Sequence, residues 1–252
     1  MYPVLLKIGP LTLSAYGTFV ALGFFAGILL SIRLGTKEGL SRDTILDIGF
    51  NSFVAAIIGS RLLYVIVEHK HFVNNPLDIV KIWEGGVVFF GGFLMVIAVQ
   101  FYYFRKHSLP LWKTMDSFAA PLALGHAIGR TGCFFAGCCY GKPTDLPWGV
   151  TFTHPLSMAT KGIPIHPTQL YESGSVLLIF LLLLKLRKNK SFDGQLIWTY
   201  VLLYSAVRFT IEFFRADDRG FIFNYVSVSQ AISIVLFISA VSFLVSKRPR
   251  RS

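Results

Sequence analysis

The chain of 252 residues is 54% hydrophobic and 15% charged, with a mean hydropathy of +0.60, which excludes both a disordered chain and an ordinary soluble domain. Lys and Arg number 24 against 13 Asp and Glu, a net charge of +11. Scattered over short loops, this basic excess fits the anionic face of a membrane and sets nucleic acid aside.

Crossing a hydrocarbon core of about 30 Å takes about 20 mostly apolar residues. Seven stretches qualify, at 12–33, 45–66, 86–104, 114–130, 173–187, 194–214 and 227–246. The expected fold is therefore an all-α polytopic membrane protein, a single integral membrane domain over 1–252. The first span is expected to remain in the mature protein: residues 1–10 carry only Lys7 as a basic residue, and Gly35-Thr36-Lys37-Glu38 is no signal-peptidase site. The second holds Arg61 with Tyr64 three positions on, on roughly one helix face. In the third, Gly85-Gly86 and Gly91-Gly92 bracket two valines and two phenylalanines.

The fourth span ends Leu124-Gly125-His126-Ala127-Ile128-Gly129-Arg130, placing His126 and Arg130 one turn apart. A long connection follows at 131–172, rich in Gly, Pro, Cys, His and Trp, and ordered connections of this length usually carry function. In the sixth span Arg208 and Glu212 are four apart, with Arg215, Asp217, Asp218 and Arg219 beyond. Trp83, Trp112 and Trp148 fall near expected interfaces. No internal repeat of the kind that builds alternating-access carriers is visible.

Orientation follows from the basic residues. One alternate set of loops, ending in the tail at Lys247, Arg248, Arg250 and Arg251, holds 14 of them and the other set 8. The positive-inside rule then places the N-terminus outside, the C-terminus in the cytoplasm, and 131–172 on the outer side.

Ionisable groups inside spans are costly and mark function or helix pairing. Arg61 reads either as a helix-pairing arginine or as a ligand group, and Glu212 either as a salt-bridge partner or as part of a site. Several arginines at headgroup depth suit a phosphodiester, because guanidinium binds phosphate in bidentate fashion and stays charged when dry. Close helix packing accounts for part of the glycine set. The density of Gly129, Gly132, Gly137 and Gly141 beside Arg130 also fits a chain leaving its helix to wrap an anion.

Cys133, Cys138 and Cys139 lie within seven residues, so no disulfide framework spans the chain. They read most simply as small hydrophobes among glycines. A local disulfide, a covalent intermediate and a metal site with His126 stay open, although spacings of five and one match no usual zinc pattern. His166 stands before Pro167 with Gln169 and Tyr171 nearby, and is either a local cap or a polar contact to substrate.

With these residues in view, the chain resembles the bacterial prolipoprotein diacylglyceryl transferases from about Tyr16 to Gln230. The strongest likeness is Gly129-Arg130-x-Gly132-x-Phe134 through Gly137 and Gly141. Ser14-Ala15-Tyr16-Gly17, Arg61 with Tyr64, the paired glycines of the third span, 166–172, Arg208 with Glu212 and Arg215, and Ser229-Gln230 support it in order.

The resemblance implies transfer of the diacylglyceryl group of phosphatidylglycerol to the lipobox cysteine of a preprolipoprotein in the bacterial inner membrane. A thioether forms and glycerol-1-phosphate leaves, and no metal or cofactor is implied. It points to Arg130, Arg208, Glu212, His126 and His166 as catalytic. Tyr16, Arg61, Tyr64, Gly91, Gly92, Gly129, Gly132, Gly141, Gln169, Tyr171 and Arg215 become candidates for binding the two substrates amid membrane lipid.

Two departures bear on the chemistry. Where the family motif has His before Gly-Gly, this chain has Phe90, which accepts no proton, so the base is expected at His126 or His166, or on water or phosphate. Where the signature has Asn, Asn and Glu, it has Cys133, Ala136 and Cys138. A paralogue with another acceptor, or a non-catalytic phospholipid-binding carrier, are the competing readings.

Overall fold

The computed structural model describes every residue except 1, 10, 82–84, 87, 217–220, 223–225 and 248–252. Trp83, Asp217, Asp218, Arg219 and the end of the basic tail, to which the sequence assigns roles, lie outside the described residues. The chain forms two compact units, residues 1–31 with 115–252, and residues 32–114.

Long helices coincide with all seven expected spans: α1 (Ala15–Gly35), α2 (Arg42–Val67), α4 (Phe89–Lys106), α5 (Leu111–Ala136), α6 (Thr168–Arg187), α7 (Gln195–Glu212) and α8 (Val228–Lys247), with the short α3 (His69–Asn74) after α2. Four of them, α1, α2, α6 and α8, are long and apolar enough to cross a membrane. The protein is thus a helical membrane protein. In the other three, polar residues such as Gln100, His126, Arg130, Arg208 and Glu212 interrupt the apolar run.

Among the described residues, three antiparallel ladders depart from the all-helical expectation: β1 (Val4–Ile8) with β2 (Leu11–Ser14), β3 (Val150–Thr151) with β4 (Pro164–Ile165), and β5 (Phe221–Ile222) with β6 (Val226–Ser227). Residues 12–14 are therefore strand and not the start of the first span. They alternate in polarity and pair back onto β1, Lys7 opposite Thr12 and Val4 opposite Ser14. Ser14 then begins α1, its hydroxyl accepting from the Gly17 amide at 3.1 Å.

In the smaller unit, α2 and α4 pack through glycines. A Cβ on Gly59 would strike the Gly91 carbonyl and the Met95 side chain, and one on Gly92 would lie 2.8 Å from the Ala56 carbonyl. Backbones this close need small residues, the physical meaning of the Gly91-Gly92 pair. Polar ties reinforce the contact: Gln100 donates to the Ile48 carbonyl at 3.0 Å and to the Ser52 hydroxyl at 2.9 Å, and Tyr103 to Asp47 at 2.9 Å.

In the larger unit, Gly23 of α1 and Gly125 of α5 approach in the same way. The N-terminus of α7 has a cap from another helix. Asp116, buried on α5, accepts from the Gly194 amide at 2.8 Å and the Ile197 amide at 2.9 Å, with the Lys190 ammonium 3.3 Å away. A carboxylate there satisfies orphan amides and complements the helix dipole. Between α5 and α6, Phe152, Ala159 and Ile165 form a small core packed by Phe134, Tyr140 and Val150. At the start of α8, the Ser227 hydroxyl accepts from the Gln230 amide and the Gln230 side chain from the Ser227 amide, both at 3.1 Å, a capping box.

Candidate active site

Two boundaries differ from expectation and decide the site. Helix α5 continues past residue 130 to Ala136, so the Arg130 peptide lies within the helix and the chain does not leave it there to wrap an anion. The amides near Gly129 and Gly132 serve the helix, and Gly132 instead admits a close neighbour: a Cβ there would meet the Phe19 Cβ and the Tyr16 carbonyl. Helix α6 begins at Thr168, just after Pro167, because proline suits a helix start. Gln169, Tyr171 and Glu172 are therefore helical and not part of a loop.

That early start brings Glu172 to Arg130. The carboxylate, with 0% of its side chain exposed, lies 3.0 Å from Arg130 Nη2 and 3.6 Å from His126 Nε2. It also accepts from the Tyr204 hydroxyl at 2.7 Å. His126 Nδ1 faces the Tyr200 hydroxyl at 3.0 Å, and Arg130 Nε faces His126 Nε2 at 3.4 Å. An anion beside His126 and Arg130 is what their pairing implied, and within the chain that anion is Glu172. Its importance, with that of Tyr200 and Tyr204, was missed. The available signal was the i,i+4 polar series Tyr200, Tyr204, Arg208, Glu212 along α7.

The lower part of that series forms a second charged group. Arg208 Nη1 meets Glu212 Oε2 at 2.6 Å, Arg208 Nη2 donates to Ser229 at 3.0 Å, and Ser227 donates to Glu212 Oε1 at 2.7 Å. Arg215 Nε stands 3.8 Å from the same carboxylate. Two arginines thus approach one carboxylate near the end of α7.

The other side of Arg130 faces sulfur. Its Nη1 lies 3.7 Å from Cys139 Sγ and 4.0 Å from Cys133 Sγ. Gly137 and Cys139 both take left-handed backbone, at φ of 77° and 60°, and this turn folds Cys138 and Cys139 back on Cys133 until the three sulfurs lie within 4.8 Å of one another. Spacing alone gave no hint of such a cluster. Thr168 and Gln169 hold the turn from α6, donating to the Cys139 and Cys138 carbonyls at 2.8 Å each. Gln169, expected at substrate, is 1% exposed and spends its amide on this turn. The Cys139 thiol is held below its ordinary range by hydrogen bonds from Cys133 and Cys138 and by the Arg215 guanidinium, while hydrogen bonds with Cys133 and Cys139, and burial, push Cys138 up.

His166 Nδ1 faces the Tyr171 hydroxyl at 3.2 Å, which also accepts from Trp148 at 2.8 Å. Gly141 is enclosed by His166 and the Phe214 carbonyl, where no side chain fits. Tyr16 heads α1, half exposed.

In the smaller unit, Arg61 is wholly engaged. Its guanidinium donates to the carbonyls of Asp78, Ile79, Lys81, Gly85 and Gly86 and lies over the Tyr64 and Phe72 rings at 5.4 and 5.3 Å. This is an arginine that gathers the backbone of 78–81 and 85–86. Tyr64 packs on Gly86, and Phe90 is half exposed.

A family model described as prolipoprotein diacylglyceryl transferase matches residues 3–246. The chain is 37% identical to the phosphatidylglycerol–prolipoprotein diacylglyceryl transferase of Clostridium tetani, over 94% of each chain. It is 37% identical to the protein of that name from Finegoldia magna over 90% of this chain and 88% of the relative. It is 34% identical to that of Geobacter sulfurreducens over 98% and 96%.

Proposed function

This chain belongs to the prolipoprotein diacylglyceryl transferase family, and we propose that its Arg130 centre carries out the transfer that the family name describes. The protein is a transferase of bacterial membranes that moves the diacylglyceryl group of phosphatidylglycerol to a prolipoprotein, the first step of lipoprotein maturation.

The acceptor is the thiol of the lipobox cysteine. Its sulfur attacks the glyceryl carbon esterified to phosphate, the S–C bond forms as the C–O bond breaks, and glycerol-1-phosphate departs with the electron pair. Arg130 and Arg208 bind the phosphate and stabilise the charge it gains on leaving. Glu172 and Glu212 hold those guanidiniums in place until substrate arrives. As Arg130 turns from His126 to phosphate, His126 Nε2 is free to take the thiol proton, with Glu172 beside it to stabilise the imidazolium. His166 and Tyr171 line the outer segment as contacts to the acceptor, and Tyr16, half exposed at the head of α1, contributes to the lipid side.

The observation that carries this reading is the Arg130–Glu172–His126 contact set, a cation and a proton acceptor poised on one buried carboxylate. The reading includes a topology of seven spans with the N-terminus outside, in which lipid and secreted acceptor meet at the outer leaflet. The 14-to-8 division of basic residues favours that orientation. The test is purified protein with phosphatidylglycerol and a lipobox peptide, following lipidated peptide and released glycerol phosphate together. Both products appear if the reading holds, and binding of lipid with neither product would refute it.

A further inference from the structure

Among the described residues, one cluster is left unused by this mechanism: the three sulfurs of Cys133, Cys138 and Cys139, within 4.8 Å of one another. Sulfurs bound to a tetrahedral zinc ion at a Zn–S distance of about 2.3 Å stand roughly 3.8 Å apart. Closing the cluster on an ion therefore asks for a contraction of about 1 Å or less.

The turn that presents them is held from outside. Thr168 and Gln169, both buried, bind the carbonyls of Cys139 and Cys138, and the Gly137 amide donates to the Cys133 carbonyl at 3.0 Å. Gly137 has no room for a side chain, since a Cβ there would strike the Ser157 hydroxyl. Such outer contacts orient ligands in metal sites. Charge agrees as well: three thiolates on a divalent ion leave one net negative charge, and Arg130 Nη1 lies beside two of the sulfurs.

Among the described residues the group has no fourth protein ligand. His126 has Nδ1 on Tyr200 and Nε2 toward Arg130 and Glu172. Zinc sites with three protein ligands keep the fourth position for a reacting molecule. A thiol that enters such a position is deprotonated outright.

We propose that Cys133, Cys138 and Cys139 form a three-thiolate site for a soft divalent ion such as Zn2+, whose fourth position takes the acceptor cysteine thiol. This rests on the transfer reading above. On binding, the acceptor loses its proton to His126. The metal-bound sulfur attacks the glyceryl carbon, the C–O bond breaks, and glycerol phosphate leaves. The thioether product is a poor ligand and departs. No oxidation state changes, and Arg130 joins the two halves of the site, one guanidinium edge toward Glu172 and the other toward sulfur.

The test uses the full chain in detergent, reduced, stripped of metal and titrated anaerobically with Co2+, whose sulfur-to-cobalt charge-transfer band counts bound thiolates. One equivalent is expected to bind with the visible spectrum of tetrahedral cobalt, and Zn2+ to displace it. Each of Cys133→Ser, Cys138→Ser and Cys139→Ser weakens binding at least about tenfold. A lipobox peptide raises the charge-transfer band and its Cys→Ser version leaves the band alone.

No band in protein with intact helical circular dichroism overturns the proposal, as does a band that survives in the triple serine variant. A peptide with no effect on the spectrum overturns the acceptor position. A disulfide between any two of the three, recovered from unreduced protein that binds no metal, overturns the site in favour of a redox pair. If the spectrum answers to peptide but neither product forms with phosphatidylglycerol, the metal site stands and the transfer reading fails.

Discussion

Arg130 and Glu172 meet at 3.0 Å although 42 positions separate them, and Glu172 makes this contact with its side chain fully buried. A buried charge without its partner is destabilising by about 3–5 kcal/mol, whereas removing both charges is close to neutral. Glu172→Ala is expected to lower the thermal stability of the detergent-solubilised protein by that amount. Glu172→Leu with Arg130→Met is expected to recover most of the stability and none of the activity. Thermal unfolding read beside the transfer assay separates the two roles; a double variant that transfers normally would remove Arg130 from the chemistry.

Arg208 forms a paired contact to Glu212 and Ser229 that an ammonium cannot copy. Arg208→Lys keeps the charge but loses the planar fork. Transfer is expected to fall by at least about tenfold, which is about 1.4 kcal/mol of transition-state stabilisation, and thermal unfolding measures separately the cost of the lost Ser229 hydrogen bond, about 1.5–3 kcal/mol. Unaltered kcat/KM for phosphatidylglycerol in this variant would mean that Arg208 is structural.

Arg61 holds five backbone carbonyls between Asp78 and Gly86. Arg61→Lys has too few donors for them, and hydrogen bonds to a charged group contribute about 1.5–3 kcal/mol each. Faster hydrogen exchange confined to residues 78–81 and 85–86 is the expected result. Exchange at the wild-type rate, with loss of lipid binding, would instead make Arg61 a ligand.

Acid acts on the same segment. Lys81 donates to Asp78 and His71 lies near it, and together they hold the Asp78 carboxyl below the usual carboxylate range. A lowered carboxyl pKa means that the contact is present throughout the neutral range and is lost only as pH falls through the lowered value. Exchange at 76–80 is expected to stay slow down to the usual carboxylate range and to quicken below it in the wild type. Asp78→Asn is expected to show the fast rate at every pH; a wild type that loosens near neutrality would contradict the assignment.

Gly59 and Gly91 touch backbone to backbone. Gly59→Leu is expected to destabilise the protein by about 1–3 kcal/mol by forcing α2 and α4 apart, and Gly17→Ala, whose only near neighbour is the Ser14 hydroxyl, by less. Equal melting temperatures for the two variants would show that the close approach is not maintained in solution.

Much of this protein can be read locally. Apolar runs located the seven long helices because a helix satisfies its own backbone hydrogen bonds, so each run stands as an independent signal. Pairs at i,i+4, such as His126 with Arg130 and Arg208 with Glu212, were legible for the same reason: helix geometry alone makes them neighbours. The paired glycines announced close packing, though not which helix would approach. The motif residues also sufficed to suggest the family, and hence the reaction.

Contacts between distant segments were beyond such reading. Asp116 caps α7 across 78 positions, and Gln169 turns from substrate to the Cys138 carbonyl because α6 begins earlier than hydropathy suggested. The partner of Arg130 and the gathering of three thiols depend on where helices α5 and α6 lie and on two left-handed residues in one turn. Hydropathy and helical period determine which elements form, since each is a sum over near neighbours in the chain. Which buried carboxylate meets which arginine, and whether three sulfurs can share one ion, are settled only by packing, because burial makes an unpaired charge too costly to leave alone.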